Sequence, residues 1–212
     1  MCGRWGADHD VGMGGDGLQF DTGVSRQVEA VYTAPGDERM ICPSLNGGKN
    51  WPAGAYSPLT NTMYFPLQNT CMVSVALEDT DTSLYGINTK VHIADGTKNV
   101  GAIHAISVQT GQTVWKYEQR AGTLSVIATG GGLLFGGDAN GRFRALDDRT
   151  GKVLWETNLG SPVSGYPISF SSGGKQYVAV STGPSLVAGG VGRLTPELKA
   201  GTANQMFVFA LP

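Results

Sequence analysis

Apolar and polar residues alternate in short runs along most of the chain, and glycine-containing turns separate the runs. Residues 101–115 read GAIHAISVQTGQTVW and residues 141–155 read GRFRALDDRTGKVLW. The offset is 40 residues, and five of the fifteen positions are identical: Gly101/Gly141, Ala105/Ala145, Thr110/Thr150, Gly111/Gly151 and Trp115/Trp155. Each copy predicts a hairpin. One strand ends at Ala-Ile or Ala-Leu, a turn follows at Gln109-Thr110-Gly111 or Arg149-Thr150-Gly151, and the next strand runs to the tryptophan. The glycine supplies the positive φ that such turns often need. Between the copies, residues 124–129 and 133–137 read as two more strands. Asp138-Ala139-Asn140-Gly141 follows, and Asn-Gly is the strongest short hairpin signal. Further strands are expected at 166–170 and 176–181, with a turn at 171–175. A long connection, 184–203, precedes the last strand at 206–211. No segment shows sustained helical periodicity, and 197–200 is expected to form at most a short turn of helix.

Four strands in about 40 residues, with one tryptophan per unit, is the pattern of a β-propeller blade. Weaker traces of the unit occur at 206–211, where Ala210-Leu211 stands like Ala145-Leu146, and at 18–23, which ends in Asp21-Thr22-Gly23. Trp115 and Trp155 are expected to pack between neighbouring sheets, because a large aromatic at a fixed blade position fills that gap. The fold class is therefore all-β, with antiparallel four-stranded units side by side.

Composition agrees. Glycine accounts for 32 of 212 residues, about twice the usual share. No Gly-X-Y period exists, which excludes a collagen. Charged residues make up 15% and hydrophobic residues 41%, a balance that does not suit a disordered chain. With 15 Lys+Arg against 17 Asp+Glu there is no basic footprint for nucleic acid. No apolar run approaches the roughly 18 residues of a membrane span. Residues 1–17 lack the basic start and apolar stretch of a secretory signal. A secreted protein with this start would be a mature form or a piece of a longer chain.

Chemistry-bearing residues are sparse. Cys2, Cys42 and Cys71 contain no C-x-x-C pair and make a poor zinc site. On spacing alone they are either three buried thiols or one bridge, Cys42 to Cys71, plus an odd cysteine. Asp21-Thr22-Gly23 matches the aspartic-protease tripeptide, but no second copy exists to complete a carboxylate pair. Asp8-His9-Asp10 reads as a solvated segment, since three adjacent residues do not easily converge on a metal. His92 and His104 lack partners at metal spacing, and His104 fits the polar face of a strand. The 130–132 glycine run has no following Lys-Ser/Thr, so a phosphate loop is not expected, and no G-x-S-x-G is present.

The unit A-x-x-x-x-T-G-x-x-x-W, at 105–115 and 145–155, resembles the tryptophan-docking motif of quinoprotein dehydrogenase propellers. Residues 42–56, CPSLNGGKNWPAGAY, with Ser57-Pro58, Met63-Tyr64-Phe65-Pro66 and Cys71, closely resemble the C-terminal half of pyrroloquinoline quinone (PQQ)-dependent alcohol dehydrogenases of the methanol/ethanol dehydrogenase type. Residues 174–180, GKQYVAV, are also similar to that family. The resemblance covers 18–212 as part of one propeller domain and leaves 1–17 unplaced. It implies about three blades of an eight-bladed propeller, and a Cys42–Cys71 disulfide in which Cys2 takes no part. It implies that Asn50 and Trp51 line the cofactor pocket, with Asn50 donating its amide to quinone oxygens. It also implies PQQ and a Ca²⁺ or lanthanide ion as cofactors, a small alcohol or polyol as substrate, a cytochrome c as electron acceptor, and a periplasmic location. The family's catalytic aspartate and cation ligands match no residue here, so the 212-residue chain by itself is expected to be inactive. The competing reading is a non-catalytic propeller scaffold for protein interactions, which has no need of Asn50-Trp51 inside a cysteine-bracketed loop.

Overall fold

In the computed structural model, residues 16–19, 24–27, 35–77 and 87–210 are described. Cys2, Asp8, His9, Asp10 and the Asp21-Thr22-Gly23 tripeptide lie outside them. The strands come first as β1 (Asp16–Gln19), β2 (Val24–Gln27), β3 (Glu38–Ile41), β4 (Ala55–Ser57), β5 (Thr62–Gln68), β6 (Thr70–Ala76) and β7 (Ile87–Ile93). The repeat region holds β8 (Gly101–Ser107), β9 (Thr113–Gln119), β10 (Thr123–Ala128), β11 (Leu133–Asp138), β12 (Arg142–Asp147) and β13 (Val153–Asn158). β14 (Ile168–Ser172), β15 (Lys175–Thr182), helix α1 (Leu186–Leu194) and β16 (Gln205–Ala210) complete it. These elements fall into two compact units: one from the described residues up to Gly48 and from Gln68 to Lys98, the other from Lys49 to Leu67 and from Asn99 onward.

The second unit carries the propeller pattern. Its sheets run β4-β5-β8-β9, β10-β11-β12-β13 and β14-β15-β16, and each described pair is antiparallel. The two repeat hairpins share one register. Trp115 faces Ala105 and Trp155 faces Ala145, each followed by a bulge at the next residue. A small residue opposite the tryptophan leaves room for the indole, which explains the repeated alanine. The repeated Thr-Gly explains itself in the turns. Thr110 Oγ1 accepts from Gln112 N and Thr150 Oγ1 from Lys152 N, both at 3.3 Å. Gly111 and Gly151 have φ of +69° and +70°. Gly151 has a second reason. A Cβ there would lie 2.5 Å from the Trp115 ring, whereas one on Gly111 would meet nothing within 4 Å. Trp115 is thus seated on the next blade's turn, and its indole N–H donates to the Asp148 carbonyl at 3.1 Å.

Two apolar cores fill the gaps between these sheets. Tyr64, Ile103, Ala105, Val126, Leu134 and Leu146 form one. Phe135, Phe143, Ala145, Leu159, Val163, Val178 and Val180 form the other, with Phe207 and Phe209 packed against it. Trp155 lies edge-on to Phe143 and Phe209, at ring-centroid distances of 6.2 and 5.3 Å. Both tryptophans therefore pack as the repeat implied, although Trp155 keeps 40% of its surface exposed.

The 184–203 connection differs from expectation, because it contains α1. The Ser185 side chain caps that helix by accepting from Ala188 N at 3.1 Å. Glycines at 189, 190 and 192 are poor helix formers, which hid the helix from a periodicity reading. Burial of Ala188 and Val191 and the Arg120 guanidinium, donating to Leu194 O at 3.2 Å and to Glu197 at 2.6 Å, hold it in place.

In the first unit β1 pairs with β2, and β3, β6 and β7 form a three-stranded antiparallel sheet. β6 and β7 are inserted in sequence between β5 and β8, which are neighbours in one sheet. The Cys42–Cys71 disulfide is formed. Beside it Ser44 and Thr70 share a hydroxyl hydrogen bond of 2.9 Å, and Leu45 N donates to Met72 Sδ at 3.2 Å.

His104, expected on a polar strand face, is instead largely covered, and its Nδ1 is buried without a partner. Burial, reinforced by the Lys116 charge on the paired strand, pushes its pKa down to about 4. Unfolded histidine takes its proton near pH 6.5. Between the two values the unfolded chain binds the extra proton, so acid favours unfolding. The contribution of neutral His104 is complete above about pH 6.5 and is lost as pH falls towards 4. His104→Gln is expected to flatten that part of the stability–pH curve. Parallel curves for the two proteins across this window would contradict it.

Candidate functional site

The residues singled out by the Cys-bracketed stretch sit on a strip, 49–57, that leads into β4 and belongs wholly to the second unit. The strip is pinned to β10 by two hydrogen bonds. Ala53 N donates to Ser125 Oγ at 3.0 Å, and Val126 N donates to Ala53 O at 3.0 Å. It also lies tight against β5. A Cβ on Gly54 would stand 2.8 Å from Tyr64 O and 2.9 Å from the Phe65 ring, so only glycine fits there. Ser57, fully covered, donates to the buried Asp148 carboxylate at 2.9 Å. The Tyr64 hydroxyl donates to the Asp148 carbonyl at 2.8 Å.

Asn50 is half-buried, and its Oδ1 accepts from Trp51 N at 2.8 Å. That bond fixes which end of the amide is the carbonyl and which the donor. Lys49 reinforces the turn from the other side, its ammonium donating to Asn50 O at 2.6 Å and also to Pro52 O. Burial lowers the Lys49 pKa from its ordinary value. Trp51 exposes 69% of its surface. Tyr166, also exposed, donates its hydroxyl to Trp51 O at 3.4 Å. The arrangement places an oriented side-chain amide and a largely exposed indole on adjacent residues of a fixed strip. Such a pair suits a flat, oxygen-bearing ligand, binding one edge by hydrogen bonding and one face by stacking.

Asn50 and Trp51 are thus adjacent and held together. Sequence reasoning missed three supports. Lys49 lies within the 42–56 stretch itself, directly before Asn50. Ser125 and Tyr166 stand 72 and 115 positions from their partners on the strip, and no local pattern marks them. Among the described residues no group of three or more His, Cys, Asp or Glu gathers as a metal site, and no helix is long and apolar enough to cross a membrane.

The family model described as "Glucose/ethanol/alcohol dehydrogenase, beta-propeller domain" of the PQQ class matches residues 98–178. The chain is 38% identical over 154 residues to the lanthanide-dependent methanol dehydrogenase of Methylacidiphilum fumariolicum (strain SolV), covering 69% of this chain and 25% of that protein. It is 30% identical over 193 residues to the 1-butanol dehydrogenase (cytochrome c) of Thauera butanivorans, covering 84% of this chain and 27% of that one. Among solved structures, a europium-containing methanol dehydrogenase superposes with a TM-score of 0.78 at 29% identity, over 92% of this chain and 38% of its own. The chain spans about a quarter of the length of these curated relatives.

Proposed function

The chain belongs to the PQQ-dependent alcohol dehydrogenase family, and from that premise we propose that its 49–57 strip forms one side of the quinone pocket of a quinoprotein dehydrogenase. The observation that carries this reading is the pinned pair Asn50-Trp51, an oriented amide beside an indole face with 69% exposure. Those features fit a planar ligand edged with oxygens. PQQ, when bound, supplies a two-electron acceptor for the hydride of an alcohol, with Ca²⁺ or a lanthanide as Lewis acid on the quinone oxygen.

This chain's own part is to bind and orient. Asn50 presents its amide donor to a quinone oxygen, where a fixed neutral dipole stabilises negative charge as it develops. Trp51 lines the same pocket. Ser125 and Lys49 hold both residues in register, so the donor is in place before the reaction. No cation ligand and no proton-accepting carboxylate is assigned to this chain. The reaction is oxidation of a small alcohol to an aldehyde or ketone, with electrons leaving through a cytochrome c, in the periplasm. Relatives named for methanol and for 1-butanol with cytochrome c support the substrate class and the acceptor. The Cys42–Cys71 disulfide supports an oxidising compartment.

In the complete enzyme containing this chain, Asn50→Ala is expected to lower PQQ affinity or turnover about tenfold, the worth of one well-placed hydrogen bond. Quinone content by absorbance and dye-linked turnover are the measurements. Unchanged occupancy together with an unchanged rate would remove Asn50 from the pocket.

A further inference from the structure

Met40 on β3 and His92 on β7 are two strands apart in one sheet, with β6 between them. Met40 is registered with Val73, and His92 with Cys71. Val73 and Cys71 are two residues apart on β6, so all four positions share one face. The two side chains bridge diagonally across that face, and His92 Nε2 lies 3.3 Å from Met40 Sδ. The opposite ring nitrogen, Nδ1, is 3.0 Å from the Ile93 carbonyl oxygen. A carbonyl only accepts, so Nδ1 carries the proton, and in the neutral ring Nε2 then holds a lone pair. A thioether sulfur is also only an acceptor. With the proton on Nδ1 alone, the Nε2 lone pair and the Met40 sulfur lone pairs lie side by side, whereas a doubly protonated ring donates Nε2–H to that sulfur. A carbonyl bonded to the far nitrogen is also how proteins fix the tautomer and aim of a metal-binding imidazole.

We propose that Met40 and His92 form a surface site for a soft monovalent cation, Cu(I), completed by water or a small solute. With bonds of about 2.0 Å to nitrogen and about 2.3 Å to sulfur, the observed separation subtends roughly 100° at the ion. That angle leaves room for one or two further ligands. Thioether and imidazole together select copper over hard cations, which need carboxylate and carbonyl oxygens. No third His, Cys, Asp or Glu joins them among the described residues. The site owes nothing to the quinone reading, and neither residue belongs to the 49–57 strip.

The test uses silver(I) as a redox-inert probe in chloride-free buffer, on the 212-residue chain carrying Cys2→Ser so that no thiolate at that position competes. The six methionines are ¹³C-labelled at the methyl, and the Met40 signal is identified by its loss in Met40→Leu. The Met40 methyl is expected to shift first on titration and to saturate near one equivalent, with the His92 Nε2 resonance moving alongside. His92→Asn is expected to weaken the Met40 response at least tenfold, since losing even an outer-shell partner costs that much at a metal site. Cu(I) held reduced by ascorbate is expected to displace silver from the same pair. A Met40 methyl that stays still while other methionines shift would overturn the site. So would a Met40 response untouched by His92→Asn. Both residues are partly exposed, and the other five methyl signals report whether each variant keeps its fold.

Discussion

Replacing Arg144 by methionine is expected to destabilise the folded protein by about 3–5 kcal/mol, the range found when one partner of a buried ion pair is removed. Arg144 is 8% exposed and Asp138 3%. The guanidinium donates through Nη1 to Asp138 Oδ2 at 2.7 Å and through Nε to Glu156 Oε2 at 2.6 Å, and it lies 6.0 Å from the Tyr117 ring centre. Burial opposes the Arg144 charge, but Asp138 and its hydrogen bond outweigh that and raise its pKa. Asp138 has its own duty in the turn, where its Oδ1 accepts from Asn140 N at 2.9 Å and Arg142 N at 3.0 Å. Methionine would leave that carboxylate buried, anionic and facing an apolar side chain. Adding Asp138→Asn to Arg144→Met is expected to recover part of the loss, because the two sites share one interaction. Urea unfolding of both variants measures this. A loss under about 1 kcal/mol for Arg144→Met would mean that the pair is solvated and worth what a surface salt bridge is. Arg144→Lys is not a neutral control, since an ammonium cannot span both carboxylates in the guanidinium's plane.

Phe143→Ala is expected to cost a similar amount, about 3–5 kcal/mol, for an unrelated reason. Its ring is fully buried and stacks between Phe135 at 6.1 Å and Phe209 at 5.8 Å, with Trp155 edge-on. Those neighbours come from β11, β13 and β16, so the ring joins two adjacent sheets. Removing it leaves a cavity that none of the three strands can close alone. For a chain of this size the loss corresponds to roughly 6–20 °C in melting temperature. Phe143→Leu is expected to lose less than half as much, since it keeps most of the volume. A Phe143→Ala protein that melts within a degree or two of the parent would show that the second core does not hold these sheets together.

The repeat was the legible part of the fold. Ala opposite Trp, and Thr-Gly in the turn, each answer to a local requirement: space for an indole, a hydroxyl acceptor and a positive φ. Such requirements recur with the blade and therefore show up as identities 40 residues apart. The β3-β6-β7 sheet was not legible. It repeats nothing, and its pairing of Met40 with Val73 is a long-range choice that no local residue announces. Helix α1 was hidden by its glycines, and tertiary burial overrode their poor propensity. For the candidate site, Asn50 and Trp51 came from the resemblance of the surrounding stretch, not from spacing. Ser125 and Tyr166 reach the strip only because the chain folds. Met40 and His92 escaped for the same reason: their partnership crosses a strand and 52 positions of sequence.

Asn50 and Trp51 are proposed to face the quinone. The most direct measurement is the distance from Asn50 Nδ2 to the nearest PQQ oxygen in a crystal structure of the complete, cofactor-loaded enzyme containing this chain. Hydrogen-bond contact is expected, about 2.7–3.2 Å, with the Trp51 ring lining the same pocket. An amide outside hydrogen-bond reach of the quinone, with Trp51 turned to solvent or to another protein surface, would contradict it.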